Sequence, residues 1–164
     1  MAVGKHEKPF QGKTNTWITP KYIIESLGEF DLDPCSAINQ PWPMAKKSYT
    51  EKDDGLSKDW FGKVFCNPPY GPHVGKWLSK LADHGDGIAL IFARTETKQF
   101  VENVWKRASG IFFIHGRLRF FDENGNQGVG NAGAPSCFVS YGNRCKDLLR
   151  DLNSIEGTFL ELSK

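Results

Sequence analysis

The sequence predicts an α/β domain built on a mostly parallel sheet. Three observations point there. Short apolar runs such as "GIALIF" and "GIFFI" have breaks on either side, as expected of strands buried on both faces. Stretches with apolar residues at helical spacing alternate with those runs. The 164 residues suit one domain. A chain of this length buries roughly 70% of its unfolded surface and needs no metal or disulfide staple.

The elements follow in order. Residues 1–13 are polar and aperiodic and read as a loose arm, leaving 14–164 as the domain. In "TNTWITPKYIIESLG", Thr19 is a good N-cap and Pro20 fits the first helical position. Ile23, Ile24 and Leu27 share a face, and Gly28 stops the helix. "EFDLDP" is a short strand ended by Pro34, and "CSAINQPWPMAKKS" is loop. "SYT" is a brief strand, and "EKDDGLSKDWFG" is a turn-rich connection. "KVFCNPPYG" is a strand running into two prolines. The next segment sets Val74, Trp77, Leu78, Leu81 and Ala82 on one helical face. A buried strand, "DGIALIFART", comes next. A helix then groups Phe100, Val104, Trp105 and Ala108, and "GIFFIHG" is another strand. "RLRFFDENGNQGVGNAGAP" is irregular, with a turn at Asn124-Gly125. "SCFVSYG" is a strand, "NRCKDLLRDLN" a helix and "GTFLELS" a last strand.

Charge and cysteines exclude some classes. The net charge of +2 does not by itself mark a nucleic-acid binder. From Trp105 to Arg119, however, Lys106, Arg107, His115, Arg117 and Arg119 occur with no acidic residue. This stretch is either a phosphate-attracting face or a solvated helix end followed by a strand end. Cys35, Cys66, Cys137 and Cys145 form no CxxC pair and have no histidine at zinc-finger spacing, so no metal is expected. No run is apolar for long enough to span a bilayer, and no signal peptide is evident. A reduced, cytoplasmic protein with no membrane partner is expected.

The chemistry concentrates in Asn67-Pro68-Pro69-Tyr70, which follows a strand at the sheet end where ligands bind. The Asn67 side-chain oxygen and the Pro68 carbonyl are two acceptors, and the prolines stiffen the turn that holds them. Two acceptors aimed at one exocyclic amine draw its lone pair out of conjugation and toward an electrophile. Tyr70 can lie flat on the ring carrying that amine. Such a site suits alkylation of a nucleobase amine by positioning and charge stabilisation, without a covalent nucleophile. In duplex DNA the base must first be flipped out.

The run resembles the (D/N/S)PP(Y/F) motif of amino-group methyltransferases that depend on S-adenosylmethionine. From about residue 16 to 141 the chain resembles the small phage- and prophage-encoded DNA N6-adenine methyltransferases. The resemblance rests on "WITP", "FDLDPCSA", "DDGLSKDWFGKVFCNPPYG", "RTETKQF", "GRLRFF" and "GAPSCFVSYG". It implies a minimal Rossmann-like class I methyltransferase fold with helices on both faces of the sheet. It implies S-adenosylmethionine as cofactor, DNA as partner, and a bacterial host cytoplasm as location. "FDLDPCSA" takes the place of the first cofactor motif, so Asp33, Pro34 and Cys35 would flank the methionine moiety. "WITP", with Asn15 two residues before it, implies Asn15, Trp17, Thr19 and Pro20 at the cofactor pocket. Asp54 resembles the acidic position near the cofactor's ribose or adenine, where a carboxylate can accept from hydroxyls. The glycine-rich FxGxG of many methyltransferases is absent, with "DLDPCS" in its place.

Two signals mislead. "GVGNAG" matches GxGxxG but stands between a loop and a strand, so it is not a dinucleotide fingerprint. Pro34-Cys35 matches the Pro-Cys pair of cytosine-C5 methyltransferases, a mechanism in which Asn67–Tyr70 would be redundant. Arg94, Thr95 and Lys98 leave one buried strand and Arg117 and Arg119 another, making them expected DNA contacts. Alternation of those arginines with Leu118 and Phe120 equally fits a half-buried strand with its arginines in solvent. With no separate recognition domain, loops such as 121–135 would read a short target. The expected function is adenine-N6 methylation of DNA. The alternatives are cytosine-N4 methylation, protein-glutamine methylation and a catalytically silent DNA-binding module.

Overall fold

The computed structural model describes residues 16–128 and 130–163. Helix α1 (Lys21–Leu27) leads into strand β1 (Leu32–Asp33), and β2 (Lys47–Ser48) follows a long loop. A 3₁₀ turn (Gly55–Ser57) precedes β3 (Val64–Cys66), α2 (Val74–His84) and β4 (Gly87–Phe92). Helix α3 (Lys98–Phe100) continues as a π-helical turn (Val101–Trp105) into β5 (Gly110–Ile114). Then come β6 (Ser136–Tyr141), α4 (Asn143–Arg150) and β7 (Gly157–Glu161).

The strands form one sheet in the order β2-β1-β3-β4-β6-β5-β7. Strands β2, β1, β3 and β4 run parallel, with Val64 opposite Gly87. Strand β6 runs antiparallel to both β4 and β5, pairing Phe92 with Ser136 and Phe112 with Phe138. Strand β7 is antiparallel to β5. The expectation of a mostly parallel sheet is therefore corrected: by paired residues the sheet is mostly antiparallel. The physical reason is that β5 and β6 are buried on both faces, and a continuous apolar run looks the same in either direction. Among the described residues no helix crosses between them, so β6 can return beside β5.

The period of two divides the core into two layers. On one face Phe65, Ile88, Leu90, Phe112 and Phe138 meet Ile23 and Leu27 of α1 and Cys145 and Leu149 of α4. On the other, Val64, Cys66, Ala89, Ile91, Cys137 and Val139 meet Val74, Trp77, Leu78 and Leu81 of α2, with Phe100 and Val104 beyond. Helices thus cover both faces. Among the described residues no helix is long and apolar enough to cross a membrane.

Two local expectations change. Helix α1 is N-capped by Pro20 with no side-chain cap, so Thr19 is not its cap. The Thr19 hydroxyl accepts a hydrogen bond from Asn67 instead. The brief strand near Tyr49 lies one residue earlier, at Lys47–Ser48, where Leu32 and Asp33 offer partners.

Candidate active site

Strand β3 ends at Cys66, so the alternation that buries Phe65 beneath α1 carries Asn67 toward the same face. Thr19 is 2% exposed, just before α1. Its Oγ1 accepts the Asn67 Nδ2–H at 3.1 Å, and the Trp17 carbonyl accepts from the same nitrogen at 3.5 Å. The amide nitrogen is thereby engaged, leaving Oδ1 as the acceptor available for a ligand. The Asn67 backbone carbonyl accepts from the Cys35 thiol at 3.2 Å, joining the loop after β1 to the loop after β3.

Asn67, Pro68, Pro69 and Tyr70 line a cavity of about 460 Å³. That lies within the range of small-molecule sites, roughly 300–1,000 Å³. Trp17, Thr19, Asp33, Pro34, Cys35 and Asp54 line it as well, although they come from three separate parts of the chain. Pro20 is buried behind them at the start of α1. Asn15 and the arm 1–13 lie outside the described residues.

The cavity's charge is one-sided. Asp33, Glu51, Asp54 and Glu123 contribute carboxylates, and no lysine, arginine or histidine is among the described residues that line it. Asp33 is 4% exposed. Burial raises its pKa from 3.8 to about 7, partly offset by the Cys35 N–H that it accepts. Asp54 holds a left-handed backbone, φ 54°, which aspartate tolerates better than most residues. Gly55 beside it packs so closely on the Pro34 carbonyl that an added Cβ would lie 1.9 Å away. Asp53 takes a different part: its carboxylate accepts the Thr50 N–H at 2.8 Å and closes a turn.

Tyr70 stacks on Phe92 with centroids 4.4 Å apart and planes at 7°, and Phe120 meets it edge-on at 6.3 Å. Tyr70 as a residue remains 39% exposed. Burial raises its hydroxyl above the ordinary phenol range, so it stays protonated. A second cavity of about 350 Å³ shares Pro68 and Tyr70 with the first and extends to Phe92, Arg94 and Thr97.

The expected DNA contacts separate. Arg94 lines the second cavity, its guanidinium 5.7 Å from the Phe92 ring centre. The Thr95 carbonyl accepts the Trp105 indole N–H. Lys98 borders a different groove, along α2. Arg117 and Arg119 are exposed and hydrogen-bond the Ala132 carbonyl and Asn131 Oδ1, while Leu118 and Phe120 are buried between them. The alternation of a half-buried segment is thus present. The basic stretch is not one face: Lys106 and Arg107 precede β5 and pair with Glu102 and Asp83, whereas Arg117 and Arg119 follow it.

Glu51, Glu123, Ser36, Gln40 and Trp77 line the first cavity and were missed by sequence reasoning. Glu51 had a usable signal, since it follows β2 at the ligand-binding end of the parallel strands. Glu123 had none. It arrives through the antiparallel bridges of Phe121 with Ile18 and Gln127, which fold the 121–128 turn over the cavity.

A strand-end cavity thus adjoins the Asn-Pro-Pro-Tyr corner. The family model for DNA N-6-adenine-methyltransferase (Dam) matches residues 7–146. The chain belongs to the Dam family. The Dam family's activity is methylation of adenine N6 in DNA, and this chain is a DNA adenine-N6 methyltransferase. The match does not favour cytosine-N4 methylation or a silent DNA-binding module. No curated protein and no solved structure matches the chain. Within the Dam-family match lie both Asn67–Tyr70 and the whole acidic cavity lining described above.

Proposed function

We propose that this chain uses S-adenosylmethionine to methylate N6 of an adenine swung out of duplex DNA, within a Rossmann-like class I methyltransferase domain over residues 14–164. The fold reading is supported by the four parallel strands, by helices on both faces and by a site at the carboxyl ends of β1 and β3.

The cavity's charge carries the choice of cofactor. Glu51, Asp54 and Glu123, joined by Asp33 once it ionises and with no cation among the described lining residues, would repel a phosphate-bearing nucleotide. They suit a ligand that is cationic and carries ribose hydroxyls. Asp33 and the loop through Pro34 and Cys35 would hold the methionine end, while Asp54 and Glu51 would accept from the ribose. When bound, S-adenosylmethionine supplies an electrophilic methyl group.

The rest of the work falls to side-chain and backbone groups of this chain. Asn67 Oδ1 accepts one N–H of the target amine, and the Pro68 carbonyl accepts the other. Both are rigidly held, so little reorganisation is needed as positive charge develops on the nitrogen. Tyr70 stacks on the extruded base and offsets part of the unstacking cost, with Phe92 and Phe120 holding its ring. Arg94, Arg117 and Arg119 contact DNA phosphates or bases, and the loop 121–135 reads a short target. Thr95 and Lys98 are weaker contacts, given the Trp105 bond and the separate groove. The resemblance to phage and prophage enzymes supports a bacterial cytoplasm as the setting.

The test uses purified protein, methyl-labelled S-adenosylmethionine and an amplified duplex several kilobases long, in which any short target recurs. After digestion to nucleosides, label should run with N6-methyladenine. Label in N4-methylcytosine, or DNA retention with no label, would overturn the reading.

A further inference from the structure

We propose that Thr19 is a positioning residue, whose hydroxyl holds the Asn67 amide beside the Trp17 carbonyl so that Oδ1 faces forward. This inference rests on the reading that Asn67 Oδ1 accepts the target amine. An amide side chain is nearly symmetrical in shape and opposite in polarity at its two ends. With Oδ1 forward, Asn67 accepts from the amine. Rotated by half a turn it would present one NH₂ to another and stabilise nothing.

The geometry biases that choice. Thr19 Oγ1 accepts the Nδ2–H at 3.1 Å from a residue 48 positions away in sequence. The Trp17 carbonyl is a second acceptor on the same side, at 3.5 Å. The Trp17 carbonyl, which can only accept, would oppose a carbonyl oxygen rotated into that place, while the shorter Thr19 bond holds the amide beside it. Thr19 is itself held firmly. Pro20 confines its backbone to extended conformations. The Trp42 indole N–H donates to its carbonyl at 2.9 Å. Trp42 in turn packs edge-on against Phe121 at 5.1 Å, and Ile18 bridges to Phe121. The "WITP" segment thus acts through Asn67 as well as lining the cavity.

A direct cofactor contact by Thr19 predicts a different kinetic pattern, and Thr19→Val and Thr19→Ser separate the two. An ordinary hydrogen bond corresponds to roughly 2- to 12-fold in an equilibrium. Thr19→Val should therefore lower kcat roughly 3- to 10-fold while the Kd for S-adenosylmethionine, by calorimetry, stays within about twofold. Thr19→Ser should restore kcat. In ¹⁵N spectra the Asn67 side-chain amide protons should exchange slowly in the wild type and Thr19→Ser, and rapidly in Thr19→Val. A weakened Kd with unchanged kcat, or Thr19→Ser as impaired as Thr19→Val, would overturn the inference. Should Thr19→Val not fold, rapid exchange of the Asn67 amide in the wild type would overturn it equally. Asn67→Ala is the reference: turnover surviving that change would defeat the underlying reading rather than the role of Thr19.

Discussion

Asp33 couples the stability of this protein to pH, and Asp33→Asn should reveal the size of the coupling. The carboxyl is 4% exposed at the end of β1. Desolvation dominates its environment and raises the pKa from 3.8 to about 7. Between those values the folded chain holds a proton that the unfolded chain has released. The unfolded state then binds one proton fewer, so stability falls as pH rises. The fall is about 1.4 kcal/mol per pH unit, or about 4 kcal/mol over the whole window. This contribution is fully present below the unfolded value and gone once pH passes the folded one. An amide at position 33 does not titrate. Urea melts at pH 4, 6 and 8 should therefore show Asp33→Asn gaining on the wild type, from near zero to about 4 kcal/mol. A difference that stays flat would mean that the carboxyl is ionised within the fold, and the desolvation argument would fail. The same proton must leave before Asp33 can pair with a cation. The wild-type Kd for S-adenosylmethionine should tighten by up to about tenfold per pH unit below about 7 and then level.

Two further outcomes follow from the cavity walls. Gly55→Ala drives a Cβ to 1.9 Å from the Pro34 carbonyl, a backbone atom that cannot rotate aside. It should weaken S-adenosylmethionine binding at least roughly tenfold and lower stability by about 1–3 kcal/mol, measured by calorimetry and thermal melts. The Cys35 thiol is held protonated, first by its contact with Cys66 and then by burial. Cys35→Ser should keep turnover within roughly tenfold in the labelling assay, whereas loss of a covalent nucleophile would cost roughly 10³-fold or more.

Element positions were legible in the sequence because each depends on local chemistry. Gly28 stops α1 with its N–H on the Ile24 carbonyl, and Val74, Trp77, Leu78 and Leu81 turn inward together. Strand direction was not legible, since "SCFVSY" is buried on both faces and would look the same running either way. The Asn-Pro-Pro-Tyr corner was visible because two prolines after an apolar strand are unusual. The bond from Asn67 to Thr19 was hidden for a different reason. Threonine before Pro-Lys reads as a helix cap, and nothing nearby reveals that its partner lies 48 residues on. Glu123 and the split of the basic stretch also depend on long-range placement. The four carboxylates that give the cavity its sign are scattered from residue 33 to 123, and only folding gathers them.

Asn67→Ala is the decisive substitution. It removes the pinned acceptor and leaves the acidic cavity intact. Labelled N6-methyladenine from the amplified duplex should fall by at least roughly 10²-fold, in keeping with loss of one preorganised electrostatic group. S-adenosylmethionine should still bind within about threefold of the wild-type Kd, since the residues proposed to hold it lie on the other loops. Methyl transfer at near wild-type rate by Asn67→Ala would show that the amine is activated elsewhere.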